Sequence, residues 1–295
     1  MMPSSLDALT QINLDDLVNA FGWKNHARLA RPLRRLFLGP ARLFAQQILD
    51  FDAAIGANGL TEASRRIERL YVRDVRVFSA DRIPAGPVLA LANHPGLTDT
   101  LALFCALRRD DLKIIALDRP FLQSLPNISD QLFYVTDDSS ERVSLVRRVS
   151  GHLRAGGAAL TFPAGHTEPD PDMYDGAVDA LQHWTDSVGV FIRLAPETAV
   201  LPICVRGVTW NVAAHHPLTR LRRTHDDQQL FASALQLLSH LVLKTRPVTV
   251  NVQIGRPITV KDLGTTDTRV IHQAVLVEMK RLIENPPEGE GVSAL

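Results

Sequence analysis

Apolar side chains recur at steps of three and four residues along the first part of the chain, which is the spacing of one face of a helix. The stripe consists of Leu29, Leu33, Leu36, Phe37, Leu43, Phe44, Ile48 and Phe51. Pro32 disturbs its beginning, and Gly39-Pro40 predicts the end of one helix and the start of the next. We therefore expect a kinked helical pair and a third helix near Glu62–Leu70, together forming an N-terminal helical region over residues 1–70.

From residue 71 onward, short β-prone runs alternate with helical runs. The predicted strands are Val75–Phe78, Val88–Asn93, Leu112–Asp118, Phe133–Val135, Ala158–Phe162, Val200–Val208 and Val248–Gly255. The predicted helices are Thr98–Arg109, Ser139–Ala155, Asp172–Ser187, Gln228–Lys244 and Thr268–Glu284. Such alternation predicts an α/β fold over residues 71–285, with a central mixed, largely parallel sheet flanked by helices. The proline- and glycine-rich end, residues 286–295, is expected to fray.

The composition favours a protein with a large buried core and little net charge. Hydrophobic residues make up 45% of the 295 residues, and 32 basic residues balance 32 acidic ones. This balance argues against a nucleic-acid partner bound through overall charge. No secretory signal pattern opens the chain, and the most apolar stretch, Leu230–Leu243, is too short and too polar to span a bilayer. We expect a cytoplasmic location, with Cys105 and Cys204 as buried free thiols.

The segment between Lys24 and Leu49 has six basic residues and no acidic one. Two interpretations of this basic, apolar-striped segment remain open. In the first, the stripe enters the headgroup boundary on the inner face of a membrane, while the arginines meet anionic lipid. In the second, the stripe packs on the α/β domain and the arginines form a solvated face.

The stretch from Val88 to Asp99 places a histidine between a strand and a helix. An apolar strand ends at Asn93, Pro95-Gly96 predict a turn, and a helix follows. His94 therefore falls at the carboxyl end of a strand, where open α/β sheets bind ligands. A carboxylate in the first helical turn can fold back onto one imidazole nitrogen, which leaves the other to take a proton from a substrate hydroxyl. The helix N-terminus is expected to help keep the imidazole neutral. The alternative is a structural histidine that caps the turn.

Asn93-His94, four residues and Asp99 resemble the first signature of the glycerol-phosphate and lysophosphatidate acyltransferase superfamily. Three later motifs follow in the order of that family, each beginning on a predicted strand. Arg119 follows the strand Leu112–Asp118, and the second signature places an arginine there to meet the phosphate or head group of the acceptor.

The third and fourth signatures are matched in part. Phe162, Pro163 and Gly165 agree with the sequence Phe-Pro-Glu-Gly-Thr-Arg-Ser of the third signature. Pro202 agrees with the proline of the fourth, a strand that lines the acyl or acceptor pocket in the family. The alternative is a structural role for Pro202, in an edge strand or a bulged strand.

Several positions depart from the family pattern. Gly96 stands where a small polar residue is usual. In the third signature, Ala164 replaces the glutamate, His166 the threonine, Thr167 the arginine and Glu168 the serine. The lost arginine removes a phosphate ligand and the lost carboxylate removes a contact to the acceptor. The acyl-transfer scaffold is therefore expected to remain, with an acceptor that can differ from glycerol-3-phosphate or lysophosphatidate, and Glu168 and His166 are candidates to substitute in part for the lost residues.

The resemblance implies direct acyl transfer without an acyl-enzyme. His94 would act as the base and Asp99 as its partner, with backbone N–H groups near Gly96 or Gly165 stabilising the oxyanion. The implied donor is acyl-coenzyme A or acyl carrier protein, and the implied acceptor is the hydroxyl of a glycerolipid or lysolipid. No cofactor is implied.

Two other functions remain open. The losses at Ala164 and Thr167 are compatible with an altered relative that binds lipid or acyl carrier without transfer, although a pure binder needs no base. A thioesterase-type hydrolase would use the same histidine and aspartate with water, but the chain has no Gly-x-Ser-x-Gly elbow. His215-His216 and His225 lack the spacing of a zinc site, so no metal is expected.

Overall fold

The structure is a computed structural model, and it describes residues 5–22, 27–96, 98–136 and 138–295. Within these residues the strands form one sheet in the order β4-β3-β5-β2-β6-β7-β1-β8. The strands are β1 Asp74–Phe78, β2 Val88–Ala92, β3 Lys113–Leu117, β4 Leu132–Val135, β5 Ala158–Thr161, β6 Ala199–Arg206, β7 Thr249–Ile254 and β8 Val292–Ser293.

The sheet is mixed and largely parallel, so the predicted fold class is confirmed. Neighbouring strands from β4 to β6 are all parallel, as are β7 and β1, whereas β6–β7 and β1–β8 are antiparallel. Every residue of β2 and β6 is buried. A strand covered on both faces can be apolar throughout, which explains the continuous apolar run of β2.

Helices cover both faces of the sheet, and most lie where the sequence predicts a helix. They are α1 Ser5–Ala20, α2 Ala27–Asn58, α3 Leu60–Tyr71, α4 Asp99–Leu107, α5 Pro120–Gln123, α6 Pro126–Ser129, α7 Ser139–Arg154, α8 Ala177–Ala180, α9 Ser187–Leu194, α10 Asn211–Ala214, α11 Pro217–Arg220, α12 His225–Leu243, α13 Val260–Leu263 and α14 Thr268–Glu284. Among the described residues, none of these helices combines the length and the apolar character needed to cross a bilayer.

The predicted break at Gly39-Pro40 is wrong, because α2 continues through both Pro32 and Pro40. A proline inside a helix removes one hydrogen bond and frees a carbonyl one turn earlier. For Pro40 that carbonyl belongs to Leu36, whose side chain is 67% exposed, so water can satisfy it. The opposite face carries Phe37 and Ala41, which are buried against α1 and α12, and this packing holds the helix together.

The predicted helix Asp172–Ser187 is also wrong. The segment contains the short α8, a 3₁₀ turn over Leu181–His183 and a break before α9. Gly176 at φ 90° starts α8 in a left-handed conformation. Polar side chains hold the preceding loop in place, because Asp170 accepts the backbone N–H of Asp172 and thereby competes with helix formation.

The end of the chain does not fray. β8 pairs antiparallel with β1, and Ala294 is 2% exposed and donates its N–H to the carbonyl of Val75. Its own carbonyl accepts from Arg65 Nε at 2.8 Å. Edge pairing of this kind orders a terminus in spite of its proline and glycine content. Cys105 and Cys204 are free and buried, as expected.

Candidate active site

His94 lies directly after β2, at the centre of the sheet between β5 and β6. Gly96 has a φ of 129°, a conformation that favours glycine, and the turn ends where α4 begins at Asp99. Leu97 lies outside the described residues. Because β2 is parallel to both neighbours, the turn sits at the edge of the sheet where the carboxyl ends of these strands meet.

The structure brings His94 and Asp99 together, as the motif predicts. Nδ1 of His94 lies 2.8 Å from Oδ2 of Asp99. The same oxygen accepts the N–H of Gly96 at 2.8 Å, and Oδ1 accepts the N–H and the hydroxyl of Thr100 at 2.5 and 3.0 Å. The Asp99 side chain is 1% exposed, whereas that of His94 is 33% exposed. A buried, fully engaged carboxylate therefore orients an imidazole that reaches the surface.

The electrostatic surroundings raise the pKa of His94, which corrects the expectation that the helix end keeps it neutral. Burial lowers this pKa because it disfavours the charged ring, but the charge of Asp99 and its hydrogen bond outweigh the effect. Glu168 adds to the rise, and the positive charge of Arg119 opposes it. His94 is therefore a stronger base than a free imidazole.

The other ring nitrogen of His94, Nε2, is the one available for chemistry. Within the described part of the chain no hydrogen bond engages it. Phe162, one of the predicted substrate-binding residues, packs on the imidazole with 4.5 Å between ring centroids and an interplanar angle of 32°. The contact leaves the ring held on one face by an aromatic side chain and at Nδ1 by a carboxylate.

Asn93 fixes the turn to the neighbouring strand, a role that the sequence alone does not reveal. Its side chain is 2% exposed, its Nδ2 donates to the carbonyl of Val205 at 2.8 Å, and its Oδ1 accepts the N–H of Val205 at 2.7 Å. The amide thus replaces a backbone ladder pair with β6. The sequence signal for this role of Asn93 is an asparagine at the end of an apolar run, directly before the histidine.

Glu168 has a role that differs from the partial substitution considered from the sequence. The carboxylate is 2% exposed and faces inward, where Oε2 accepts the backbone N–H of His94 at 3.0 Å and Oε1 accepts Nε1–H of Trp184 at 2.7 Å. Burial raises its pKa to about 7, against the lowering effect of these bonds. Because both oxygens are engaged, Glu168 does not replace the acceptor-binding carboxylate missing at Ala164.

The remaining residues of the third motif build a tight turn beside His94. Pro163 is buried and its carbonyl accepts the N–H of Thr185 at 3.2 Å. Gly165 has a φ of 71° and donates its N–H to the carbonyl of Phe162 at 3.0 Å. The space around it is open, so the backbone conformation is what favours glycine there.

The backbone N–H groups of Gly96 and Gly165 themselves are already engaged. The N–H of Gly96 donates to Asp99, and that of Gly165 donates to Phe162. Both bonds stabilise the turns that carry these glycines. Stabilisation of an oxyanion by other backbone N–H groups near the two glycines stays a prediction.

Arg119 and Pro202 lie at different depths. Arg119 is exposed at the start of α5, directly after the β3 segment, and its positive charge opposes the rise in the pKa of His94 and of Asp16 of α1. Pro202 is buried in β6, opposite Leu91 of β2. On its other side it faces Gly255, the residue directly after β7, so the N–H that proline lacks is missing only at the end of the β6–β7 pairing. The predicted pocket-lining role of Pro202 stays a prediction.

Neither of two surface clefts is lined by His94 or Asp99. One, of about 510 Å³, is lined by Arg76, Asp172 and Asn251 and by the chain end, and the other, of about 560 Å³, lies on α13 and α14. Within the described ranges, no group of three or more histidine, cysteine, aspartate or glutamate side chains is arranged to hold a metal ion. His215 and His216 instead make local bonds around α10 and α11.

Comparison with known proteins finds similarity among solved structures. No family model matches the chain, and no curated protein matches it. Among solved structures, the crystal structure of the 1-acyl-sn-glycerophosphate (LPA) acyltransferase PlsC from Thermotoga maritima is similar over 95% of this chain and 93% of that chain. The sequence identity is 17% and the TM-score is 0.44. A similarity of this size is too low to support a function, which therefore rests on the geometry of the site.

Proposed function

We propose that the chain is an acyltransferase that moves a fatty acyl group from a thioester donor to the hydroxyl of a glycerolipid or lysolipid. The observation that carries the proposal is the His94–Asp99 pair, in which a buried carboxylate holds Nδ1 at 2.8 Å and a partly exposed ring offers Nε2. This arrangement is a base with its orienting carboxylate, and the substrate supplies the nucleophile.

The transfer proceeds in one displacement sequence. Nε2 of His94 takes the proton of the acceptor hydroxyl as its oxygen attacks the thioester carbonyl, and the new C–O bond forms a tetrahedral intermediate. Asp99 stabilises the imidazolium through its charge and hydrogen bond. The C–S bond then breaks, and the leaving thiolate takes the proton from His94. Acyl-coenzyme A and acyl carrier protein both provide such a thiolate, and no cofactor is required.

The acceptor contacts the protein chiefly through Arg119. Its guanidinium is exposed and close enough to affect the pKa of His94, so it can bind an anionic head group while the hydroxyl meets Nε2. Ala164 and Thr167 supply no charge, and Glu168 is turned inward. Among the described residues, Arg119 is the cation whose charge acts on His94, which favours a lipid acceptor whose hydroxyl and anionic group are near each other.

The exposed part of α2 provides a surface for an anionic membrane on the cytoplasmic side. The apolar stripe of this segment fits each of the two interpretations in part. Phe37 and Phe51 are buried in the protein, whereas Leu36 and Leu43 are 67% and 44% exposed and can meet a membrane. Two of the arginines pair on the surface, Arg34 with Asp15 and Arg42 with Asp7. Exposed pairs of this kind are weak, so these arginines can exchange partners with lipid phosphates.

The activity is tested by incubating the purified chain with an acyl thioester and a panel of lipid acceptors. Wild-type protein should form acylated lipid and release thiol, and His94→Ala should lose both because no base remains. His225→Ala, an exposed histidine at the start of α12, is the matched control and should behave as wild type. Thiol release by His94→Ala at the wild-type rate would refute the proposal.

The same assay separates the alternatives by product. Free fatty acid in place of acylated lipid would identify a thioesterase, which the one-third exposure of His94 to water makes the chemically closest rival. Neither product, with lipid or carrier bound, would identify a binding protein.

Membrane contact is tested separately by sedimentation with vesicles that contain or lack anionic phospholipid. The double substitution Leu36→Asp and Leu38→Asp changes exposed positions only and should reduce binding to anionic vesicles. Val277→Asp, an equally exposed position on α14, is the control. Unchanged sedimentation of the double variant would exclude α2 as the contact.

A further inference from the structure

We propose that Glu168 is a positioning residue of the site, whose carboxylate holds the backbone of His94 while Asp99 holds the ring, and that Glu168 and the imidazole form one electrostatically coupled unit. The inference rests on the proposed function for its kinetic consequence. Its structural part, the coupling between the two side chains, stands on contacts that lie outside the motif match.

The first observation is a two-way bond between distant parts of the chain. The N–H of His94 donates to Oε2 of Glu168 at 3.0 Å, and the N–H of Glu168 donates to the carbonyl of His94 at 2.8 Å. The residues are 74 positions apart. The pairing between β2 and β5 ends at Leu91 and Thr161. The bonds between His94 and Glu168 therefore join the same two segments a second time, beyond the loop that contains Phe162. The loop and the histidine are thereby fixed as one piece.

The second observation is that the surroundings of Glu168 are built for a carboxylate. Oε1 accepts from Trp184, which is 4% exposed, and the backbone carbonyl of Glu168 accepts from Gln229 of α12 at 3.4 Å. The N–H of His94 at Oε2 and the indole N–H of Trp184 at Oε1 therefore give each carboxylate oxygen one donor. A carboxylate accepts both bonds, whereas an amide places its own N–H against one of the two donors.

The third observation is electrostatic. The negative charge of Glu168 raises the pKa of His94, and in return the charged imidazole lowers the pKa of Glu168. Burial keeps the pKa of Glu168 at about 7, so this carboxyl titrates in the range where the base must work. The other charged groups that face the pair are Asp99 and Arg119 at the imidazole and His166 at the carboxyl.

The direction of the expected effect follows from these charges. Glu168→Gln removes a negative charge beside the imidazole, so the pKa of His94 should fall and the acid limb of kcat/KM should move to lower pH. A merely structural role would lower kcat at every pH without moving that limb. Glu168→Asp keeps the charge and shortens the reach, so it should lower kcat but leave the limb close to its wild-type position.

Trp184→Phe provides a variant that keeps Glu168 itself. It removes the N–H that lowers the pKa of Glu168, so the carboxyl is less ionised near neutral pH, and the pKa of His94 should fall by less than in Glu168→Gln. Trp210→Phe, a partly buried tryptophan at the start of α10, is the matched control and should leave both values unchanged.

The experiment follows the histidine C2–H signals of the full chain by NMR across the pH range, with His94 assigned by its absence in His94→Ala. A lower His94 pKa in Glu168→Gln and, to a smaller extent, in Trp184→Phe supports the coupling. An unchanged His94 pKa in folded Glu168→Gln, or in Trp184→Phe if the first variant does not fold, overturns it. The titration uses no acyl donor, so a shift without acyl transfer would refute the proposed function alone, and transfer without a shift would refute the coupling alone.

Discussion

Two polar clusters lie side by side at the same edge of the sheet, where β2 and β6 end. The first is the His94 turn, residues 93–96 and 98–100. The second is the Asp170 corner, formed by Asp170, Asp172 and Arg206. In each, a buried aspartate accepts backbone N–H groups: Asp170 is 0% exposed and binds those of Gly207, Asp172 and Thr209. The two clusters therefore use the same structural device.

The two clusters differ in the basic residue that pairs with an aspartate side chain. In the Asp170 corner, Asp172 pairs with Arg206, which is 2% exposed and also donates to the carbonyl of Leu282 near the end of α14. Arginine stays charged at any relevant pH, so this partner is fixed. In the His94 turn the partner of Asp99 is an imidazole that titrates and reaches the surface. A buried carboxylate becomes part of a reactive site when its partner can gain and lose a proton in contact with solvent.

The largest expected effect is the loss of turnover in Asp99→Asn. The amide places its NH2 group either where one oxygen accepts from His94 and Gly96 or where the other accepts from Thr100, and it provides no charge to stabilise the imidazolium, so kcat should fall by about 10²–10⁴-fold. Steady-state kinetics at saturating acceptor measures the fall, and urea unfolding of the same variant checks that the fall is not a loss of folded protein. Wild-type turnover in a folded variant would remove Asp99 from the mechanism.

Asp170→Asn should show the opposite pattern. Its oxygens accept three backbone N–H groups, and the amide would turn its own donor toward one of them, leaving a buried donor unpaired. The free energy of unfolding should fall by about 1–3 kcal/mol. Urea unfolding measures this, and the fraction that remains folded should keep kcat within a few-fold. A large loss of kcat in Asp170→Asn at an unchanged free energy of unfolding would show that the Asp170 corner contributes to turnover and not to stability.

The His94 turn could be predicted from sequence because its information is local. The spacing from His94 to Asp99, the apolar strand before it and the Pro95-Gly96 turn determine a geometry that the structure reproduces. The fold class followed for the same reason, since strand and helix periodicities are read over a few residues.

The second carboxylate and the Asp170 corner could not be found in the same way. Glu168 meets His94 across 74 residues, and Asn93 meets Val205 across 112, so neither partner is visible in a local pattern. The errors have a related cause. Tertiary packing keeps α2 intact through Pro40, and the bonds of Asp170 to Gly207 and Thr209 fix the chain at the start of the segment where a helix was expected. Long-range contacts override local preference at these positions.

Glu68 of α3 extends the comparison to a buried carboxyl without partners. It is 0% exposed, and within the described residues neither oxygen has a hydrogen bond. Burial, and then the charge of Asp99, raises its pKa well above 4.5, so the folded state keeps the proton while the unfolded chain ionises. The native state therefore loses stability as pH rises above about 4.5, by up to about 1.4 kcal/mol per pH unit until the pKa of folded Glu68 is reached.

Glu68→Gln should remove this dependence. The variant should gain thermal stability relative to wild type, little at pH 4 and more at pH 7, and thermal unfolding at several pH values measures the difference. Glu197→Gln makes the same change at an exposed position and should show no comparable pH dependence. A constant difference between Glu68→Gln and wild type across pH would mean that Glu68 is ionised in the native state.

The smallest effect is expected at Arg119, on the solvent side of the His94 turn. The guanidinium is exposed, so Arg119→Ala should weaken binding of a phosphate-bearing acceptor about tenfold, equal to about 1.4 kcal/mol, and should change kcat little. Removing the positive charge should also raise the pKa of His94 and move the acid limb of kcat/KM to higher pH, opposite to the shift in Glu168→Gln.

Arg119→Lys keeps the charge but loses the bidentate geometry, so it should restore the pH profile and only part of the affinity. Arg193→Ala, an exposed arginine on α9, is the control. An equal rise in KM for a neutral acceptor would show that Arg119 shapes the surface and does not bind the anionic group.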